Sequence, residues 1–294
     1  MKYIISNPNN DARLGHQFQN MSVSIALSLT IDNLEHLHTP FSGPSSKWEK
    51  IFNFPLKIKT KKDIKPKKII KLPRLDFGVD VSFPLNKAEK NIAQIKKIID
   101  NESDETLFIL PKDLFPGILS KEIIKIAPLL KECYWSNKKK YDFKHDGTTI
   151  GIHIRRGDIK KHKQAARWLE VTDYLKVMNT IREKNIYNSP RFIIFAESGE
   201  TKTHNLRSLY HEVYDEEGKP SDFKLLKSED VDFSVGGSDI ETFHKMVSTD
   251  VLMSGLSTFP ILAAYINYGE TIYWKLRNYN KWENIKGFIN VDNL

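Results

Sequence analysis

The spacing of apolar positions divides the chain into two halves of unequal clarity. In the first half, a short apolar run at residues 2–6 predicts a strand. An amphipathic run at 16–31 then repeats its apolar residues at helical spacing. Residues 86–101 and 119–134 carry the same helical period on either side of the apolar stretch TLFIL, which predicts a strand. Between residues 39 and 85 the chain is rich in Pro, Lys and Phe, and its weak periodicity predicts no definite element. The second half alternates regularly. Strands are predicted at 148–156, 191–198, 222–227, 250–254 and 270–274, with helices at 171–185, 203–214, 238–250 and 258–268. Apolar strands separated by amphipathic helices imply a parallel sheet covered on both faces, hence an α/β fold. The polar, lysine-rich stretch 137–147 is the natural boundary between the halves.

Composition narrows the class. The chain has 294 residues, 40% hydrophobic and 28% charged, which suits globular domains and is too apolar for a disordered chain. No uninterrupted apolar stretch reaches the ~18 residues of a membrane helix, and the amino terminus lacks the apolar core of a signal peptide. A cytoplasmic protein without a transmembrane segment is expected. One cysteine, Cys133, excludes an internal disulfide and a Cys-based metal cluster, and its place in a helical apolar pattern marks it as packed. His36 and His38 lie in a polar stretch and read as solvated; the nine histidines show no metal-ligand spacing.

The formal charge of +8 is concentrated. Residues 57–71 hold eight lysines and one acid, Asp63, for +7, which leaves +1 for the rest. A protein-wide nucleic-acid footprint is thereby excluded, and no aromatics interleave with those lysines to stack single-stranded bases. The segment reads as a solvated loop or edge strand; a patch facing an acidic partner or membrane surface stays open beside it.

Candidate chemistry gathers where strands end, because ligands of parallel α/β sheets bind beyond the carboxyl ends of the strands. His153-Ile154-Arg155-Arg156-Gly157-Asp158 closes an otherwise apolar strand. Strand alternation puts His153 and Arg155 on one face and Arg156 on the other. Planar, permanently charged guanidinium groups at such an edge suit a diphosphate. Ser254-Gly255-Leu256-Ser257-Thr258-Phe259 leads from a strand into a helix, with Ser257 or Thr258 as N-cap. The open amides and positive dipole end of that helix suit an anion. Arg13-Leu14-Gly15-His16-Gln17-Phe18-Gln19-Asn20 is a glycine turn opening a helix, without dinucleotide or P-loop spacing. Its His, Gln and Asn either brace their own helix or project donors into an interdomain cleft.

These segments resemble the motifs of GDP-fucose-dependent fucosyltransferases, the α1,2/α1,6 group and the protein O-fucosyltransferases. HIRRGD is similar to their arginine motif and RLGHQFQN to their amino-terminal glycine motif. FHKMVSTDVLMSGLSTFPILAAYI resembles their third motif. The three occur in the family's order across residues 13–267, whereas 21–147 match nothing. The resemblance implies a GT-B-like fold, two Rossmann-like domains facing across a cleft. The first, 1–145, would be the acceptor side; 146–275 would bind the nucleotide sugar, and 276–294 would be a tail packing back on the first domain. It implies an inverting, metal-independent glycosyltransferase with no cofactor, using a GDP-sugar, GDP-fucose first, and a glycan acceptor. Arg155 would hold the β-phosphate and stabilise the leaving diphosphate, with Asp158 the other catalytic candidate. Arg156 would support the loop or touch the nucleotide, His153 would line its pocket, and Ser257 and Thr258 would bind phosphate. Gly15, His16, Gln17 and Asn20 would close the cleft from the other domain. The sequence departs from the family in two places. Thr242 stands where some relatives have a guanine-binding carboxylate, so Glu241 or Asp239 would substitute. Gln164 stands near their candidate base, leaving Asp158 and Glu170 as the nearest carboxylates. A UDP- or GDP-linked pentose or deoxyhexose as donor, or a non-catalytic glycan-binding relative, are the alternatives. The oligomeric state is not legible.

Overall fold

The structure, a computed structural model, describes residues 1–54, 57–75, 85–112, 114, 122, 124–156, 168–196, 221–255, 257–274 and 286–294. The chain divides into two units, the first beginning at Met1 and the second at Lys139, inside the boundary stretch expected from the sequence.

The first unit runs β1 (Lys2–Ile5), α1 (Leu14–Thr30), β2 (Leu34–His36), α2 (Trp48–Phe52), β3 (Lys68–Lys71), α3 (Leu85–Asp100), β4 (Thr106–Ile109) and α4 (Ala127–Trp135). Its strands form a parallel sheet in the order β2-β1-β4-β3. Leu107 and Phe108 of β4, and Ile4 and Ile5 of β1, are buried, as the apolar strand pattern requires. β2 and β3 fall in or beside the stretch of weak periodicity; three- and four-residue strands are too short to display a period.

The lysine segment contributes edge strand β3, with Lys68 and Lys71 exposed. Lys57, Lys59, Lys67 and Lys68 pair with Glu132, Glu35, Glu105 and Glu102. Half of the lysines therefore meet glutamates of neighbouring elements, as a solvated edge would. The helix expected over 119–134 is α4 for its last eight residues, preceded by a 3₁₀ turn at Ile124–Ile126. Pro128 sets that start: without an N–H it fits only the first turn.

His36 and His38 are not solvated. His38 is fully buried, with Nε2 2.8 Å from Glu49 Oε2, and His36 Nδ1 lies 2.7 Å from Ser24 Oγ. Burial, with the neighbouring His38, lowers the His36 pKa to about 3.

The second unit runs β5 (Thr149–His153), α5 (Val171–Glu183), β6 (Arg191–Ala196), β7 (Val231–Val235), α6 (Asp239–Ser248), β8 (Val251–Ser254), α7 (Thr258–Ile266), β9 (Glu270–Tyr273) and β10 (Phe288–Asn290). All six strands are parallel in the order β7-β6-β5-β8-β9-β10. Counted within the unit this is 3-2-1-4-5-6, the doubly wound Rossmann order, and the expected α/β class holds in both units. Ile150, Ile152 and Ile154 pack with Tyr174, Val177, Met178 and Ile181 of α5 in one buried core.

One expectation fails here for a legible reason. Residues 222–227 are not a strand; Ser221–Leu226 is a 3₁₀ helix. Phe223 and Leu226, three apart, are buried while Leu225 is 52% exposed, which is a period of three and not two. The strand is β7, where Val231, Phe233 and Val235 alternate with Asp232 and Ser234. The end of the expected tail supplies β10 of the second sheet. The expected helix at 203–214, Gly157, Asp158 and Gln164 lie outside the described residues. Among the described residues no helix is long and apolar enough to cross a membrane.

Candidate active site at the switch point of the second sheet

The order of the second sheet reverses between β5 and β8, so their carboxyl ends open the crevice where such sheets take ligands. The two strongest sequence motifs stand at those two ends. β5 is buried along its length, and its ladder continues one residue further through Ile154 N–H to Phe195 O at 2.9 Å. Alternation persists past the strand. Gly151 and His153 face away from the isoleucine core, with the His153 and Phe259 ring centroids 6.3 Å apart. Arg155 keeps that side and its Nη1 donates to Ser257 Oγ at 2.7 Å. Arg156 takes the opposite side.

From β8 the chain turns through Gly255. A Cβ there would lie 2.7 Å from the His153 carbonyl oxygen, so glycine alone lets this turn close against the end of β5. Ser257 follows with extended backbone as N-cap of α7, but its hydroxyl makes no cap bond. It accepts from Arg155 instead. The Ile261 N–H closes the first helical turn on Ser257 O at 3.1 Å, and Pro260 has no N–H. The amino end of α7 thus presents backbone amides and Thr258 beside a guanidinium group, an arrangement that favours a bound anion.

His153 is buried, and its Nδ1 has no hydrogen-bond partner. Burial, followed by the nearby Arg155 charge, lowers its pKa to about 3, so the imidazole stays neutral near pH 7. Its open nitrogen lies near the Gly255 turn and the Tyr174 hydroxyl.

Arg156 does not join this group. It is 1% exposed, with Nη2 2.8 Å from Asp222 Oδ2 and the Trp168 ring centroid 4.1 Å from its Cζ. The structure therefore brings together His153, Arg155, Ser257 and Thr258, and turns Arg156 into the core. Asp222 was hidden from the sequence reading inside the stretch mistaken for a strand.

Glu241, in the first turn of α6, is exposed and pairs with Lys245 at 2.7 Å, which lowers its carboxyl pKa. Asp250 accepts from the Thr149 N–H and hydroxyl at 3.0 and 2.7 Å and so braces the amino ends of β5 and β8, away from the crevice. Glu170 caps α5 in a reciprocal box with Asp173.

The residues of the glycine motif lie in the first unit. Gly15 is not in a tight turn but is the second residue of α1, buried and helical. Gln17 Nε2 donates to Ala12 O and Ser42 O at 2.8 and 2.7 Å, and its Oε1 accepts from Ser42 N. Asn20 Nδ2 donates to Asn7 O at 2.6 Å. Both amides brace their own unit, while His16 is exposed. Among the described residues no group of three or more His, Cys, Asp or Glu is placed to hold a metal.

Comparison with known proteins follows this geometry. The model of a family described as glycosyl transferase family 11 matches residues 137–286. Among solved structures, POFUT1 in complex with GDP-fucose is 10% identical, with 92% of this chain and 97% of that chain covered, at a TM-score of 0.44. POFUT1 in its apo form is 10% identical at the same coverage, with a TM-score of 0.42. A POFUT1 complex with GDP is 11% identical over 92% and 98%, at 0.40. No curated protein sequence matches the chain.

Proposed function

Because the chain belongs to glycosyl transferase family 11, and is a fucosyltransferase-like glycosyltransferase, we propose that it moves fucose from GDP-fucose to a glycan hydroxyl with inversion and without a metal. The observation that carries this reading is the 2.7 Å bond from Arg155 to Ser257, which joins the ends of β5 and β8 at the switch point beside a helix amino terminus. A nucleotide diphosphate fits there. Arg155 holds the β-phosphate, Ser257 and Thr258 bind phosphate oxygens, and neutral His153 lines the pocket. Glu241 is the carboxylate assigned to the guanine, and Asp158 completes the catalytic pair.

In the transfer the acceptor oxygen attacks C1 of the sugar, forming one C–O bond as the bond to the β-phosphate breaks. The electron pair leaves with GDP, and the hydroxyl proton passes to a base. Negative charge grows on the departing diphosphate, where a fixed guanidinium and helix amides lower the barrier. Attack opposite the leaving group inverts C1.

Removing one preorganised donor from developing charge costs about 10²–10³ in turnover. Arg155→Ala should therefore reduce release of GDP from GDP-fucose at least 100-fold, with the melting temperature held within ~2 °C. Calorimetry against GDP and UDP reads the base preference without any acceptor. Unchanged turnover in the variant overturns the assignment. Tighter binding of UDP than GDP moves it to a UDP-linked sugar.

A further inference from the structure

We propose that Asp222 is a positioning residue for Arg155, acting through the buried guanidinium of Arg156. The inference rests on the reading of Arg155 as the diphosphate ligand. A buried guanidinium is costly unless paired and fully hydrogen-bonded, and an apolar side chain of similar volume commonly gives a more stable core. Arg156 nevertheless sits 1% exposed at the end of β5, adjacent in the chain to Arg155.

Its bonds say what it does there. Nη1 donates to the Arg155 carbonyl at 3.0 Å and Nη2 to the Leu169 carbonyl at 3.2 Å. Nε and Nη2 both converge on Asp222 Oδ2, at 3.3 and 2.8 Å, and Trp168 covers the guanidinium face. One planar group thus ties the end of β5 to residues 168–169 before α5 and to the 3₁₀ turn at 221–226. Arg155 is held twice, through its own carbonyl by Arg156 and through its side chain by Ser257.

The carboxylate does not form a two-oxygen fork with Arg156: Asp222 Oδ1 is buried with no hydrogen-bond partner. The plane of the guanidinium is therefore set by the two carbonyls, while Asp222 supplies the charge that keeps the cation inside. Without that charge, the favoured place for Arg156 is water. Leaving the core releases the Arg155 carbonyl, so the end of β5 that carries the diphosphate ligand is no longer fixed. Asp222→Asn preserves the shape and an acceptor oxygen while removing the charge, so it isolates this role.

The test is a double-variant cycle on the full chain: wild type, Asp222→Asn, Arg155→Ala and the pair, each titrated with GDP to millimolar by ³¹P NMR and melted thermally. Asp222→Asn should weaken GDP about tenfold when Arg155 is present and by less than twofold when it is absent. The same substitution should lower the melting temperature equally in both backgrounds, and Asp222→Glu should recover most of the affinity. A purely structural role predicts equal losses of affinity in both backgrounds, and that result overturns the proposal, as does unchanged affinity in Asp222→Asn. Should Asp222→Asn not fold, Trp168→Leu enters the same cycle with the same expectation and the same overturning result. Arg155→Ala that binds GDP as wild type does would instead refute the diphosphate reading itself.

Discussion

The carboxyl ends of the two sheets are built from the same parts, a parallel strand, a loop and the first turn of a helix, yet their polar side chains are used oppositely. At the first sheet, Gln17 and Asn20 hydrogen-bond to the backbone of their own unit at Ala12, Ser42 and Asn7, and Leu114 N–H donates back to Asn20 Oδ1 at 3.2 Å. At the second, Arg155 reaches a cap hydroxyl that makes no cap bond, and His153 keeps a buried nitrogen without a partner. Side chains that complete backbone hydrogen bonds fix loops. Groups held in place but left with unused capacity are what a ligand needs. A polar residue at a strand end is therefore read by what it bonds to, and its position alone does not decide.

The strongest way to break this contrast is Gly255→Ala. The new methyl would meet the His153 carbonyl oxygen at 2.7 Å, a backbone atom at the end of a buried strand, so the turn carrying Ser257 must move away from Arg155. GDP affinity should fall at least tenfold in a calorimetric titration. Affinity within twofold of wild type would show that the spacing between β5 and β8 does not matter for the nucleotide.

Gln17→Ala is the mirror experiment. It removes an amide that satisfies two carbonyls and one N–H around a buried site, and its expected effect is on stability, about 2 kcal/mol by chemical denaturation. GDP affinity should stay within twofold. A large loss of affinity with unchanged stability would return Gln17 to the ligand-facing role that the glycine motif suggested.

Sequence reading captured the second unit better than the first, because β5 and β6 are five and six residues long, whereas no described strand of the first unit exceeds four. The order of its strands was not legible, since period-2 patterning says nothing about neighbours. Yet the rule about strand carboxyl ends placed His153, Arg155 and Ser257 before any order was known. Alternation even carried the opposite facing of Arg156 past the end of β5. What patterning missed was partnership. Asp222 opens the stretch 222–227 that reads as an apolar strand, whereas burial follows Phe223 and Leu226, three apart, and leaves Leu225 exposed. The bracing roles of Gln17 and Asn20 depend on backbone atoms of Ser42 and Leu114, 25 and 94 residues away, and no local spacing encodes them.

The smallest expected effect compares the units through acid. Each holds one histidine whose pKa is lowered to about 3 by burial, His36 in the first and His153 in the second. In the unfolded chain both return to 6.5, so between pH 6.5 and about 3 the unfolded state binds more protons than the folded one. Their contribution is present above pH 6.5 and is lost as the pH falls through that window. At pH 5.5, one unit below the unfolded value, each histidine costs about 1.4 kcal/mol relative to neutral pH. Denaturant melts at pH 7.5 and 5.5 should show that loss in wild type. His36→Asn should reduce it by about half without touching GDP affinity, since His36 is held by Ser24 of the first unit. An acid sensitivity unchanged in His36→Asn would mean that the ring is reached by water, and that the burial separating the two units' histidines from solvent is not what holds them neutral.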